Sequence, residues 1–242
     1  YSTSSSADQI KDMIPYWICV APISVLPDYF DLLEAKGVHR IIVLSSTSRF
    51  TKVESKDSKE QALVKQLEEG EGRVQDWAQK NNVEWVILRP TLIYGLGQDR
   101  NITVIARFIQ RFGFFPLLGA ANGLRQPIHA DDVTNACVAG ISGSSISNQA
   151  YNISGSETLT YREMVERIFD ALGKRPRFLS IPLVFFKLAV ACLRVLPRYR
   201  KWSAAMAERM NQNLIFDHTL ASKDLGFKPK AFVLTENDLP SK

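Results

Sequence analysis

The stretch WVILRPTLIYG, from Trp85 to Gly95, decides how this chain folds. Its first half is an apolar run. The run ends at Arg89–Pro90 because proline fixes its own φ and keeps the preceding residue extended. A short apolar run that stops at such a loop is typical of a buried strand in a parallel sheet. We therefore predict a strand over Glu84–Leu88 that leaves the sheet at Pro90.

The segments upstream of this strand alternate between apolar runs and helical periodicity. Two further runs predict buried strands, one at Trp17–Val20 and one at Ile41–Ser46. Apolar residues at helical spacing predict helices over Leu26–Lys36 and Ser58–Asn81. This alternation of apolar strands and helices indicates right-handed crossovers onto a parallel sheet that is covered on both faces.

The pattern changes after Gly95, where helices and very short strands predict a second, smaller unit. The helices are expected over Ile102–Phe112, Asp131–Ile141 and Tyr161–Leu172, and the strands over Ala150–Ser154 and Phe178–Pro182. The fold class that we predict is α/β, a doubly wound parallel sheet with a smaller C-terminal α/β lobe.

Composition and charge exclude several functional classes. The 242 residues are 45% hydrophobic and 23% charged, which is typical of a globular protein with a sizeable core. The net charge of +5 comes without a basic stripe interleaved with aromatics, so we expect no nucleic-acid partner. We expect no metal site and a reducing, cytoplasmic compartment, because the cysteines and histidines are scattered: Cys19, Cys137, Cys192, His39, His129 and His218.

The apolar segment Leu183–Leu196 has two readings. It is interrupted by Lys187 and Arg194 and is too short to cross a bilayer, which asks for about 20 apolar residues. Basic residues follow it up to Lys201, so residues 183–201 could form a peripheral membrane-surface helix. The other reading is a core or lid helix of the second lobe.

Three segments in this order resemble the NAD-dependent epimerase/dehydratase family, which comprises extended or atypical short-chain dehydrogenases/reductases. They are HRIIVLSST (His39–Thr47), WVILRPTLIYG (Trp85–Gly95) and RQPIHADDV (Arg125–Val133). The resemblance implies a Rossmann-like sheet with a substrate lobe. Residues 1–98 would form part of an NAD(P)-binding domain, and residues 99–242 would cover the sheet and form the lobe. It also implies NAD or NADP as cofactor for the full-length parent, a nucleotide-sugar or related substrate, and a homodimer as one oligomeric state.

The resemblance places cofactor contacts and a catalytic hydroxyl at the strand exits. Thr47, together with Ser46, resembles the hydroxyl cluster that hydrogen-bonds the reacting oxygen of the substrate, at the edge of the sheet where ligands of such sheets bind. The implied cofactor-binding residues are Ala21, Pro22, Ser45, Pro90, Thr91 and Leu92.

Substrate-binding residues are implied further along the chain. Asn101 would lie at a helix N-terminus that seats a diphosphate, and the planar fork of Arg125 would clamp phosphate oxygens. His129 would lie beside the substrate as a general acid, although a structural histidine is the commoner use of such a residue.

Two features of the family's enzymes are absent from the 242 residues. No Gly-rich turn follows a strand, and the nearest match, Gly95–Arg100, has arginine where the third glycine belongs. We therefore expect the chain to begin ahead of the fourth strand of the family's sheet and, by itself, to bind the dinucleotide weakly or not at all. The family's catalytic Tyr-x-x-x-Lys pair is also missing, since Leu63 or Val64 and Leu67 stand at those positions.

Two functions remain open from the sequence. The first is an NAD(P)-dependent epimerase/dehydratase-like protein whose catalysis is impaired by the missing pair. The second is a non-catalytic, dinucleotide-binding assembly subunit that associates with a partner or a membrane through residues 183–201.

Overall fold

The computed structural model describes residues 13–52, 55, 57–143, 146–184, 186 and 208–240. The strands are β1 (Tyr16–Cys19), β2 (Arg40–Leu44), β3 (Glu84–Pro90), β4 (Ile93–Tyr94), β5 (Phe115–Leu118), β6 (Leu124–Arg125), β7 (Ile128–His129), β8 (Gln149–Ile153), β9 (Leu159–Thr160) and β10 (Phe178–Ile181). The helices are α1 (Phe30–Ala35), α2 (Ser48–Thr51), α3 (Ser58–Lys80), α4 (Ile102–Phe112), α5 (Ala130–Ser142), α6 (Tyr161–Ala171) and α7 (Thr219–Leu225). Short 3-10 turns occupy Leu26–Tyr29 and Glu236–Asp238.

The main sheet has the order β1-β2-β3-β8, and all of its strand pairs are parallel. Its two central strands are buried on both faces, which explains their continuously apolar sequences. The predicted α/β fold with a parallel sheet is confirmed. Strand β8 lies beyond residue 98, so the C-terminal half contributes to the sheet itself as well as to its cover.

Helices cover both faces of the sheet. On one face, α3 and the segment from Ile23 to Leu33 pack against Ile41, Val43 and Ile87. On the other face, α5 and α7 pack against Ile42, Val86 and Leu88.

Helix α3 runs without a break through Gly70, although glycine is a poor helix former. A Cβ added at Gly70 would lie 2.9 Å from the side chain of Ile23. The glycine therefore lets α3 approach the chain that leaves β1.

A second hydrophobic core forms the lobe beyond the carboxyl edge of the sheet. Helices α4 and α6 pack there on the parallel pair β5 and β10. The strand and helix predictions agree with these elements to within a few residues, and the bounds of α4 are those expected.

The proposed membrane-surface helix lies almost wholly outside the described residues, which between 183 and 201 include only Leu183, Val184 and Phe186. In the part of the chain that the structure describes, no helix is long and apolar enough to cross a membrane.

Candidate functional site

The exits of β2 and β3 lie side by side at the carboxyl edge of the sheet. The amide of Thr47 donates to the carbonyl of Pro90 at 3.2 Å, and the Thr47 hydroxyl donates to the same carbonyl at 3.1 Å. The two segments of the predicted site therefore meet on neighbouring parallel strands. This edge is where ligands of open α/β sheets bind.

A cleft of ≈ 1270 Å³ lies between this edge and the lobe. Eight of the eleven predicted site residues line it: Ser45, Ser46, Thr47, Pro90, Thr91, Leu92, Asn101 and Arg125. The other three, Ala21, Pro22 and His129, do not. The lobe supplies the opposite wall from α4, α6, β5, β10 and the segment Arg209–Phe216.

The hydroxyls of the Ser-Ser-Thr segment are held differently from one another. Thr47 is only 6% exposed, and its hydroxyl serves the contact between the two strand exits. The Ser46 hydroxyl oxygen accepts from the amide of Ser48 at 3.1 Å, which leaves its proton available for a ligand. Ser46 is thus the better placed donor of the two.

The third hydroxyl, that of Ser45, belongs to a buried ionic cluster around Glu71. The Ser45 hydroxyl donates to the Glu71 carboxylate at 2.5 Å. Arg89 donates to the same carboxylate at 2.6 and 3.0 Å, and Arg49 donates to it as well. Burial acts to raise the pKa of Glu71, but the bonds from Arg89 and Ser45 and the two arginine charges outweigh it and lower that pKa. The cluster fixes α3 to the exits of β2 and β3.

The N-terminus of α4 is already occupied by a carboxylate of the chain. Asp99 accepts from the amides of Asn101 and Thr103 at 2.8 and 3.2 Å, and from the Thr103 hydroxyl at 2.6 Å. The exposed side chain of Asn101 makes no capping bond. The expected diphosphate seat at this helix end is therefore filled by Asp99. The spacing of Asp99 and Thr103 is a capping signal that sequence reasoning missed.

Arg125 lines the cleft but does not present a free fork. It is 4% exposed and donates to the carbonyls of Leu124, Gln212 and Arg209, and its guanidinium lies 5.5 Å above the Tyr161 ring. Burial is the main cause that lowers its pKa to about 10. Several donors that a bidentate phosphate clamp would use are committed to the backbone.

His129 is not among the residues that line the cleft. Its Nδ1 accepts from the Asp131 amide at 3.1 Å, and its Nε2 lies 3.0 Å from the Asp238 carboxylate. With Nδ1 accepting, Nε2 carries the proton and donates to Asp238. Both ring nitrogens are thus used structurally, beside Tyr94 in a smaller pocket of ≈ 390 Å³.

Of the residues expected to contact a dinucleotide, Ser45 and Pro90–Leu92 form a wall of the cleft at the strand exits, where ligands of open α/β sheets bind. Ala21 and Pro22, expected under the ribose, are exposed at the end of β1. The turn at Gly95–Gly97 packs on its own chain, since a Cβ at Gly97 would collide with the carbonyl of Leu239.

Helix α3 contributes no side chain to the lining of the cleft. Leu63 and Leu67, at the positions of the family's pair, pack into the core between α3 and the sheet. Tyr161 is the tyrosine in the lining, and burial raises its pKa to about 12, which makes it a poor general base.

A family model for the NAD dependent epimerase/dehydratase family matches residues 28–154, just over half of the chain. The chain belongs to this family. The match includes the exits of β2 and β3, the α4 start and the α5 region, so the resemblance read from the three segments is confirmed.

Curated relatives of this epimerase/dehydratase family member differ in what they do. An uncharacterized protein, y4nG of Sinorhizobium fredii, is 26% identical over 81% of this chain and 50% of its own length. Subunit 9 of the NADH dehydrogenase [ubiquinone] 1 alpha subcomplex of Arabidopsis thaliana is 31% identical over 45% of this chain and 27% of its own. The UDP-glucose 4-epimerase of Vibrio cholerae is 24% identical over 66% of this chain and 47% of its own length. The matches thus span half or less of these relatives.

Solved structures share the fold of this family member. RMD from Pseudomonas aeruginosa, complexed with NADPH, has a TM-score of 0.65 at 15% identity and covers 90% of this chain and 77% of its own. UDP-glucuronic acid 4-epimerase from Bacillus cereus, in complex with UDP-glucuronic acid and NAD, has a TM-score of 0.63 at 16% identity. The match covers 86% of this chain and 62% of that epimerase chain.

Proposed function

We propose that this chain forms the ligand-binding part of an NAD(P)-binding epimerase/dehydratase-like protein with impaired catalysis. The observation that carries the proposal is the contact between Thr47 and Pro90, which brings both strand exits to one wall of the cleft. Ser46 would donate to the reacting oxygen of a small-molecule ligand. Pro90–Leu92 would face the nicotinamide, which carries the hydride chemistry when NAD or NADP is bound.

Impaired catalysis follows from the helix beside the cleft. The family's acid–base step needs a phenol with a lowered pKa and a lysine next to it. Leu63 and Leu67 stand at those positions and pack into the core. Tyr161, with its pKa raised to about 12, does not replace them.

The nicotinamide wall can be tested with nicotinamide mononucleotide, which lacks the adenosine half of the dinucleotide. Saturation-transfer NMR should detect contact of its ring with the 242-residue chain. The variant Ser46→Trp should abolish the contact by filling the wall, whereas Ser142→Trp, at the exposed end of α5, should leave it unchanged. Equal contact in both variants would reject the proposed wall.

A non-catalytic assembly subunit is the second candidate. One observation favours it: Leu67, at the position of the family's lysine, packs into the core. The match to the Arabidopsis NADH dehydrogenase subunit agrees with such a role. Turnover separates the candidates, because conversion of UDP-glucose in the presence of NAD by the protein that its gene encodes would argue against a purely structural subunit.

A further inference from the structure

The half of the cleft that faces the lobe is apolar. Six of its lining side chains come from four elements and the segment after residue 208: Phe108, Phe115, Leu118, Met164, Ile181 and Met210. Most of them also belong to the core of the lobe. The hydroxyls of a sugar or nucleotide would lose water there without gaining partners.

The two features expected to hold a diphosphate are used by the chain itself. Asp99 already places a carboxylate at the start of α4 and would repel a second anion. Arg125 directs three of its donors to backbone carbonyls. A nucleotide sugar would therefore meet no free helix end, and Arg125 keeps at most two of its five N–H donors for an anion.

Positive charge nevertheless remains in the lining of the cleft. The lining contains Lys52, Arg100, Arg125 and Arg209, with Asp99 as its acidic side chain. Arg209 pairs with Glu60 at 2.8 Å. Among the residues that the structure describes, no carboxylate pairs with the 4% exposed Arg125. A buried cation without a counter-charge is costly, and an anion in the cleft would offset that cost.

We propose that the cleft binds an amphiphilic small molecule: one anionic head, a carboxylate or a phosphate, beside Arg125, and an apolar chain or ring system along Phe108, Phe115 and Ile181. The volume of ≈ 1270 Å³ exceeds the roughly 300–1,000 Å³ of ordinary ligand pockets, so such a molecule fits next to a nicotinamide. This inference rests on the proposed use of the cleft as the ligand site, and it names the class of that ligand.

Titration calorimetry on the 242-residue chain, without any dinucleotide, tests the proposal. The probes are octanoate, dodecanoate, dodecyl phosphate, dodecanol and UDP-glucose. Dodecanoate should bind at least about tenfold more tightly than octanoate, because each added CH₂ is buried in the apolar half. The comparison of dodecanoate with dodecyl phosphate identifies the head. UDP-glucose that binds more tightly than every amphiphile would overturn the proposal.

Matched variants locate the ligand. Val104, 53% exposed, lines the cleft, and Val138, 52% exposed, lies on α5 outside it. Val104→Asp should weaken dodecanoate binding about tenfold or more, while Val138→Asp should not change it. Equal affinities in the two variants would overturn the proposal.

The site of the anionic head is tested separately from the site of the ligand's apolar part. Arg125→Gln should weaken both anionic probes and leave dodecanol unaffected. Because this variant loses backbone bonds and could unfold, Arg100→Gln is the second variant, with Arg111→Gln outside the cleft as its control. Anionic probes unaffected by Arg100→Gln and by a folded Arg125→Gln would refute the head position. If the amphiphiles bind but nicotinamide mononucleotide does not contact the protein, only the proposed cofactor wall is refuted.

Discussion

Glu71 joins three elements at the carboxyl edge of the sheet. It lies on α3, is 2% exposed, and accepts from Ser45 after β2 and from Arg89 on β3. A buried carboxylate is stable only when it is paired and hydrogen-bonded, and this one is both. The wall of the cleft that holds Ser46 and Pro90 thus depends on a residue that does not itself line the cleft.

Glu71→Gln is expected to lower the free energy of unfolding by about 3 kcal/mol at pH 7, because Arg89 loses its counter-charge and Arg49 keeps only Glu68, at 3.8 Å. The folded-state pKa of Glu71 lies below its ordinary 4.5, so its contribution is full above pH 4.5 and disappears as the pH falls through the folded value. Urea unfolding at pH 7 and at decreasing pH should show the difference between wild type and variant shrinking in acid.

The matched control is Glu69→Gln, on the same helix. Glu69 is exposed and, among the described residues, pairs only with Lys65, at 3.6 Å, so its loss should cost under about 1 kcal/mol. A Glu71→Gln variant as stable as this control at pH 7 would contradict the role of the cluster.

Single residues show where sequence reasoning ends. The place of Thr47 beside Pro90 could be predicted, because both follow apolar runs of one parallel sheet. The hydrogen bonds of Arg125 could not be predicted, since its carbonyl partners Arg209 and Gln212 lie 84 and 87 residues away in the sequence. The contact of His129 could not be predicted for the same reason, because its partner Asp238 is 109 residues further along.

At the scale of elements, α3 is built as a core helix rather than as a catalytic one. Leu67 is 7% exposed and packs with Val43 and Ile87, and the partly exposed Leu63 packs at the border of the same cluster. Restoring the family's pair at these positions would need a tyrosine at 63 and a lysine at 67. The helix accepts the first change more readily than the second.

Leu67→Lys is expected to destabilise the chain by about 3 kcal/mol or more, because it removes apolar contacts and brings an ammonium into the core. At about 2–4 °C per kcal/mol for a chain of this size, the melting temperature should fall by about 6–12 °C. Leu67→Met, which conserves volume, should cost less than about 1.5 kcal/mol. Thermal unfolding followed by circular dichroism measures both, and equal melting temperatures would show that position 67 does not require an apolar side chain.

Element boundaries were largely predictable because they depend on local chemistry. Proline sets the exit of β3, and the apolar periodicity of Ile102–Phe112 ends at Gly113, whose φ of +75° is the left-handed conformation that glycine adopts easily. The presence of Gly70 inside α3 could not be explained in this way, because it depends on a close approach to Ile23. Local patterns carry no information on such a contact.

At the scale of the whole molecule, the cleft arises where two cores face each other. The order of the apolar strands predicts the carboxyl edge and hence one polar wall. The opposite wall combines α4 and α6 with segments near residues 181 and 210, so its apolar character depends on contacts between distant parts of the chain. The position of the cleft can therefore be predicted from the sequence better than the character of its lining.

The 242-residue chain itself is expected to bind NADH and NADPH weakly, with dissociation constants above the micromolar range. A dinucleotide draws much of its affinity from a Gly-rich turn at a helix N-terminus, which this sequence lacks. The turn at Gly97 closes on Leu239, and the start of α4 is capped by Asp99. Titration followed by fluorescence measures the affinity, with nicotinamide mononucleotide as the control ligand. A micromolar constant for either dinucleotide would mean that other residues of the chain bind the pyrophosphate.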